Sequence, residues 1–181
     1  MAYPNLEKYN QAFSAHAALL SDPELRGGAL SKSGMGLPLA ISGGFAYTYT
    51  ITAARGKFAV RCFHREAKGL ERRYVAVSKK LASVRSPYFL NFDFQPQGIR
   101  VDGSAYPVVK MAWASGATLG EFLEDNRKNA ASLGRLADAI VSLSAYLRGQ
   151  GIAHGDLQTG NLMVSTDGSS IQLIDYDGMF L

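Results

Sequence analysis

The stretch that decides how this chain is read is AHGDLQTGNLMV, residues 153–164, together with LIDYDGMFL, residues 173–181. Polar residues set among glycines usually mark only a surface loop. Here, however, His154, Asp156 and Asn161 fall at fixed spacing, and two short apolar runs then flank STDGSS in the pattern of a tight hairpin. That hairpin returns the chain to a second aspartate, Asp175, with Asp177 just beyond it.

Working outwards, LGRLADAIVSLSAYLRGQG has helical periodicity and carries Gly149 and Gly151 where a helix would end. Before it, YFLNFDFQPQGIRV and YPVVKMAW flank the turn VDGS as an extended pair. A helix is expected from about Gly69 to Ala82, with Leu70, Tyr74, Val77 and Leu81 on one face and Pro87 stopping the segment. GGFAYTYTITAARGKFAVRCF alternates aromatic and β-branched residues about the turn AARG, which reads as another hairpin. The first forty residues read as a helical extension with Leu6, Tyr9, Phe13, Ala17 and Leu20 at helix spacing, broken by SDPELRGG and followed by the glycine-rich link SKSGMGLP.

A chain of 181 residues with 47% apolar composition can bury one compact core or two small lobes sharing a cleft. The single cysteine, Cys62, cannot form an internal disulfide, and MAYPNLEKYN has no secretory character, so a cytoplasmic setting is the default expectation. LADAIVSLSAYL is short and interrupted by Asp138, so no membrane span is expected. The formal charge of +4 is modest, and the basic run GLERRYVAVSKKL reads as a solvated helix face. No nucleic-acid motif accompanies it, so no nucleic-acid partner is expected.

The order strand, strand, helix, strand, strand, helix, polar loop, short strands resembles the protein kinase-like superfamily from about Ile41 to the end. His154, Asp156 and Asn161 fit its HxDxxxxN catalytic loop, and Asp175 follows the hairpin at the aspartate of the DFG-type element. The resemblance implies an α+β, bilobal fold with an N-terminal helical extension (1–40), a β-rich N-lobe (41–112) and a truncated helical C-lobe (113–181). It also implies ATP as substrate, with Asp156 orienting an acceptor hydroxyl and taking its proton while Asn161 and Asp175 hold Mg²⁺. Asp177 reads either as a further metal ligand or as a polar cap on the next turn. His154 is expected to be a scaffold residue behind the loop.

By the same resemblance, SGGFAYTYTI looks like the phosphate-covering hairpin, with Gly43 and Gly44 at its turn, Ala46 at the third glycine and Thr48 at the valine of GxGxxGxV. FAVR stands where VAIK is expected, which sets Ala59 against the adenine and Arg61 in place of the lysine. Met111 becomes the gatekeeper, and the backbone from Ala112 to Ala114 the adenine-contacting segment. Trp113 reads as core or hinge packing.

The chain departs from the family pattern in several places. Arg61 replaces a compact ammonium by a planar fork. The helix glutamate expected near Val77 is missing, leaving Glu71 or Glu66 as displaced candidates. Gly155 replaces the arginine of HRD, and Gln158 stands where serine/threonine kinases carry lysine; HGDLQTGN looks closer to the loops of small-molecule phosphotransferases and atypical kinases. No peptide-substrate platform follows the apolar GMFL, so the chain is expected to continue further or to pack there on a partner. The leading expectation is a serine/threonine protein kinase-like enzyme acting on a protein. The alternatives are a pseudokinase or nucleotide-binding scaffold and a small-molecule kinase.

Overall fold

The computed structural model describes residues 3–65 and 69–181, and the fold is mixed α+β with a mostly antiparallel sheet. Its elements divide into two units, Met1–Ser78 with Asn91–Trp113 and Lys79–Leu90 with Ala114–Leu181. Residues 1–40 therefore do not form a separate extension, and 79–90, expected in the N-lobe, belong to the second unit.

In the first unit, Asn5 accepts the Lys8 N–H and starts α1 (Leu6–Ser14). The single long helix expected here instead breaks at Ala15 into α1 and α2 (His16–Leu19), followed by α3 (Pro23–Arg26), β1 (Ala29–Leu30) and β2 (Ala40–Ser42). Tyr9, Phe13 and Leu20 are buried as their spacing requires, whereas Ala17 is exposed. The covering role of this segment follows from the strands after it. In β3 (Ala46–Ala53) and β4 (Gly56–Phe63), paired in register from Ala46↔Phe63 to Ala53↔Gly56, both faces carry apolar residues. Tyr49, Ile51, Phe58, Val60 and Cys62 form one core cluster with Tyr9, Phe13, Leu20, Leu25 and Leu30 of the N-terminal segment. A sheet with two apolar faces needs a layer on each, and the first forty residues supply one of them.

The helix expected after β4 is α4 (Leu70–Val84), with Tyr74, Val77 and Leu81 buried. The Tyr74 ring lies 5.5–5.9 Å from those of Phe63, Phe92 and Phe94. β5 (Phe92–Val101) and β6 (Ser104–Ala112) close the sheet in the order β1-β3-β4-β6-β5, with β2 also paired to β3. Their turn places Asp102 at φ 50° and Gly103 at φ 78°, the left-handed pair that a two-residue hairpin turn requires.

A polar cluster that the sequence did not announce ties α3 to this sheet. Lys110 Nζ donates to Asp22 Oδ2 and to Glu24 Oε2, each at 2.8 Å, and Gln95 Nε2 donates to Asp22 Oδ2 at 2.9 Å. Arg55 grips both Glu24 oxygens at 2.8 Å. Arg55 and Lys110 hold the Glu24 carboxyl down at about 2. Burial pushes Asp22 up, but hydrogen bonds from Lys110, the Leu25 amide and Gln95 outweigh it and leave that carboxyl below its ordinary value.

The second unit is built on α5 (Leu119–Asp125) and α6 (Ala130–Gln150), joined by a three-stranded sheet in which β8 (Leu162–Val164) pairs with both β7 (Ala117–Thr118) and β9 (Ile171–Leu173). Thr118 and Glu121 form a reciprocal capping box at the start of α5. Leu136, Ala139, Leu143 and Leu147 recur at helical spacing on the buried face of α6. Among the described residues, no helix is long and apolar enough to cross a membrane.

Candidate active-site loop

The loop between α6 and β8 is held mainly by its own residues. Asn161, 6% exposed, donates its side-chain amide to the Asp156 carbonyl at 3.0 Å and to Asp156 Oδ2 at 2.9 Å. Both partners accept, so the amide nitrogen must face them, leaving the amide oxygen as an acceptor on the other side. Gln158 Nε2 also donates to Asp156 Oδ2, at 3.2 Å, so a neutral donor stands where the resemblance leads one to expect an ammonium. Both of these side-chain donors converge on Oδ2, and Oδ1 remains as an acceptor. The Asn161 backbone carbonyl accepts the N–H of Ile174, which brings the loop beside Asp175.

Asp175 has φ 60° and ψ 80°, a left-handed conformation that costs a non-glycine residue energy unless its surroundings fix it. They do so from both sides. His154 is 1% exposed and its Nε2 donates to the Ile174 carbonyl at 3.0 Å, the scaffold role expected of it. Its Nδ1 has no partner among the described residues. Tyr176, fully buried, donates its hydroxyl to the Leu173 carbonyl at 2.7 Å and accepts the Leu90 N–H at 2.9 Å. Beyond it, Ala153 and Phe180 exchange two backbone hydrogen bonds, at 2.8 and 3.0 Å.

That last pairing explains Gly155. Its φ is 80°, and a Cβ built there would lie 2.1 Å from the Gly178 carbonyl oxygen. The position expected to hold the HRD arginine has no room for a side chain, because the backbone after Asp175 fills the space. Asp177 lies inside the short 3₁₀ turn Tyr176–Gly178, past the capping position, which Asp175 occupies without a side-chain cap bond. Met179 is buried, whereas Phe180 and Leu181 remain exposed.

The expected nucleotide-contacting residues sit in the first unit, apart from Ala114, the first residue of the second-unit segment that follows Trp113. Gly43 and Gly44 form the turn between β2 and β3, closed by the Gly43 N–H on the Ala46 carbonyl at 2.9 Å. Ala59 pairs with Thr50 and Met111, while Arg61 pairs with Thr48 and Val109. Strand alternation puts Ala59, Arg61 and Met111 on one face, the face that bears Phe92 and Phe94. The amides of Ala112 and Trp113 are bound to the carbonyls of Asn91 and Lys57, so neither can donate to an adenine. Trp113 is neither core nor packed hinge: it is 40% exposed, with the Lys57 ammonium 3.8 Å from its ring centre.

Of the displaced glutamate candidates, Glu71 lies exposed in the first turn of α4 and accepts a long 3.5 Å hydrogen bond from the Tyr3 hydroxyl. Glu66 lies outside the described residues. Val77, where the family glutamate was expected, is fully buried. His64 was not singled out from the sequence, although its position directly after an apolar strand was a signal that it could reach the neighbouring turn. Its ring contacts Gly43, as described below.

Asn161 and Asp175 offer only hard oxygen donors, which suits Mg²⁺. Among the described residues, no three His, Cys, Asp or Glu side chains cluster as a ready metal cage. No protein-family model matches the chain, and no curated protein matches it.

Proposed function

We propose that this chain is an ATP- and Mg²⁺-dependent phosphotransferase domain of the protein kinase-like type, with a protein serine or threonine hydroxyl as acceptor. The observation that carries this reading is the staple between Asp156 and Asn161, joined through the Asn161 carbonyl to the residue preceding a left-handed Asp175. Phosphoryl transfer asks a protein mainly for positioning and charge neutralisation, and this loop ties the Asp156 carboxylate to the Asn161 amide and sets the backbone of Asp175 beside them. The order of elements supports the same kinase-like fold: a glycine-turn hairpin, a helix and a second hairpin in the first unit, then a long helix, a polar loop and a short hairpin in the second.

In this reading the first unit binds the nucleotide, with Gly43 and Gly44 on its phosphates and Ala59 and Met111 beside its base. Arg61 contributes a fixed positive charge on the same sheet face. In the second unit, Asp156 Oδ1 accepts the proton of the acceptor hydroxyl and orients the oxygen for attack, while Asn161 and Asp175 hold the cation. Mg²⁺ held by these two residues would supply neutralisation of phosphate charge. Arg61 in the lysine position favours a second reading, a nucleotide-binding scaffold without transfer, because a guanidinium cannot reproduce the contact of a lysine ammonium. Gly155 keeps a small-molecule acceptor as a third.

Calorimetric titration of ATP with and without Mg²⁺ tests the proposal. Wild type should bind in a Mg²⁺-dependent manner, Asp175→Asn should weaken that binding at least tenfold, and Asp156→Asn should bind normally yet lose transfer. Mg²⁺-independent binding that Asp175→Asn leaves unchanged would end the metal assignment. Binding without transfer to any protein acceptor would leave the scaffold reading in place.

A further inference from the structure

The glycine turn of the first unit has no backbone lattice like that of the second-unit loop, and a Cβ placed on Gly44 would meet nothing within 4 Å. It is held from the end of the neighbouring strand. The His64 N–H donates to the Phe45 carbonyl at 3.1 Å, continuing the β3–β4 ladder one step past Ala46↔Phe63. The His64 ring then reaches over β3, with its centroid 4.6 Å from that of Tyr47, and Nε2 lies 3.2 Å from the Gly43 carbonyl oxygen. A carbonyl can only accept, so Nε2 carries the proton. Next in the chain, the Arg65 guanidinium sits 5.0 Å from the centre of the Phe45 ring. Both residues flanking Gly44 are therefore gripped by the dipeptide that follows β4.

The geometry points to His64 as a positioning residue for nucleotide binding: it fixes the Gly43 peptide so that the open Gly44 segment presents one conformation to the phosphates. Arg65 supports it by holding Phe45. This rests on the phosphotransferase reading of the chain. A two-glycine turn is conformationally permissive, and closing such a turn on an anion costs entropy unless it is already ordered. The His64 hydrogen bond and the Tyr47 contact supply that order before the ligand arrives, so removing them should weaken binding without removing any group that touches the nucleotide.

The test measures Mg·ATP affinity, thermal midpoint and amide exchange of the turn for wild type, His64→Ala, His64→Gln and Arg65→Ala. His64→Ala should raise the dissociation constant about tenfold and speed exchange at Gly44 and Phe45, with the thermal midpoint moving little. His64→Gln keeps an amide donor of similar reach and should restore affinity to within about threefold, a rescue that a merely structural role would not produce. Arg65→Ala should show a smaller loss in the same direction. If wild type binds and His64→Ala binds equally well, the inference is overturned while the functional reading stands. If wild type does not bind nucleotide, both fall.

Discussion

The loop of residues 154–161 and the glycine turn of residues 43–46 are both short and glycine-containing, yet they are held in opposite ways. The loop is a lattice of backbone and short side-chain bonds: Asn161 to Asp156, Asn161 to Ile174, His154 to Ile174, Ala153 to Phe180. The turn has one closing backbone bond of its own, and is otherwise held from the end of β4, by the His64 backbone N–H and by the side chains of His64 and Arg65. A segment locked by its own backbone can hold a strained residue such as Asp175 in place; a segment held from outside can give way when its holder changes. That difference teaches where substitutions should be tolerated.

The largest effect is expected at Gly155. Gly155→Ala puts a Cβ 2.1 Å from the Gly178 oxygen at a φ of 80°, so the backbone pairing of Ala153 with Phe180 must open. A loss of about 3 kcal/mol or more is expected, read as a fall in thermal midpoint with faster amide exchange across 153–180. An unchanged midpoint would break the contrast between loop and turn. Next, Asp175→Val should cost about 1–2 kcal/mol because a β-branched residue resists the left-handed conformation, whereas Asp175→Asn, which tolerates it, should melt close to wild type. Equal melting of the two would mean that the strain is not confined to this residue.

The polar cluster of the first unit sharpens the comparison at a third level, since here charged side chains fasten a whole segment. Lys110→Met should lower the thermal midpoint at pH 7, on the order of 5 °C, by leaving Asp22 and part of Glu24 without their cation. Both carboxyls lie below their ordinary values in the folded protein, with Glu24 at about 2 against 4.5. The unfolded chain therefore binds the proton first as acid is added. The stabilisation is complete above about pH 4.5 and is lost as the pH falls towards 2. The gap in midpoint between wild type and Lys110→Met should narrow over that range; a constant gap would deny the cluster its electrostatic role. The smallest effect is expected for Glu71→Ala, within about 0.5 kcal/mol, because its hydrogen bond from Tyr3 is long and exposed. A large effect would reopen it as a functional glutamate.

The arrangement of the second-unit loop was legible because it is local: His154, Asp156 and Asn161 lie close together in sequence, and one short hairpin brings the chain back to Asp175. The hairpins about AARG and VDGS and the helix with Tyr74, Val77 and Leu81 were legible for a similar reason, since strand alternation and helical periodicity are properties of neighbours. The first forty residues were misjudged because nothing local says that Tyr9 and Phe13 would meet Tyr49 and Val60. The same holds for Asp22 and Glu24, whose cation arrives from Lys110. Gly155 was read as a missing arginine, when its absence of side chain answers the Gly178 backbone, a contact with no signature in composition or period.

The covering of the sheet by the N-terminal segment also sets a clock on biosynthesis. Tyr9 and Phe13 leave the ribosome early, but Val108, in the same core cluster, is made roughly 100 residues later, which at about 5–20 residues per second is a delay on the order of 5–20 s. Until β3 and β4 are made α1 carries an apolar face with no strand to bury it, and the cluster stays incomplete until Val108 follows. The second unit is interrupted in the same way, since Lys79–Leu90 must wait for the segment from Ala114 onwards. Neither unit can complete its core as it emerges, so the nascent chain has reason to engage a holding chaperone at its first helix.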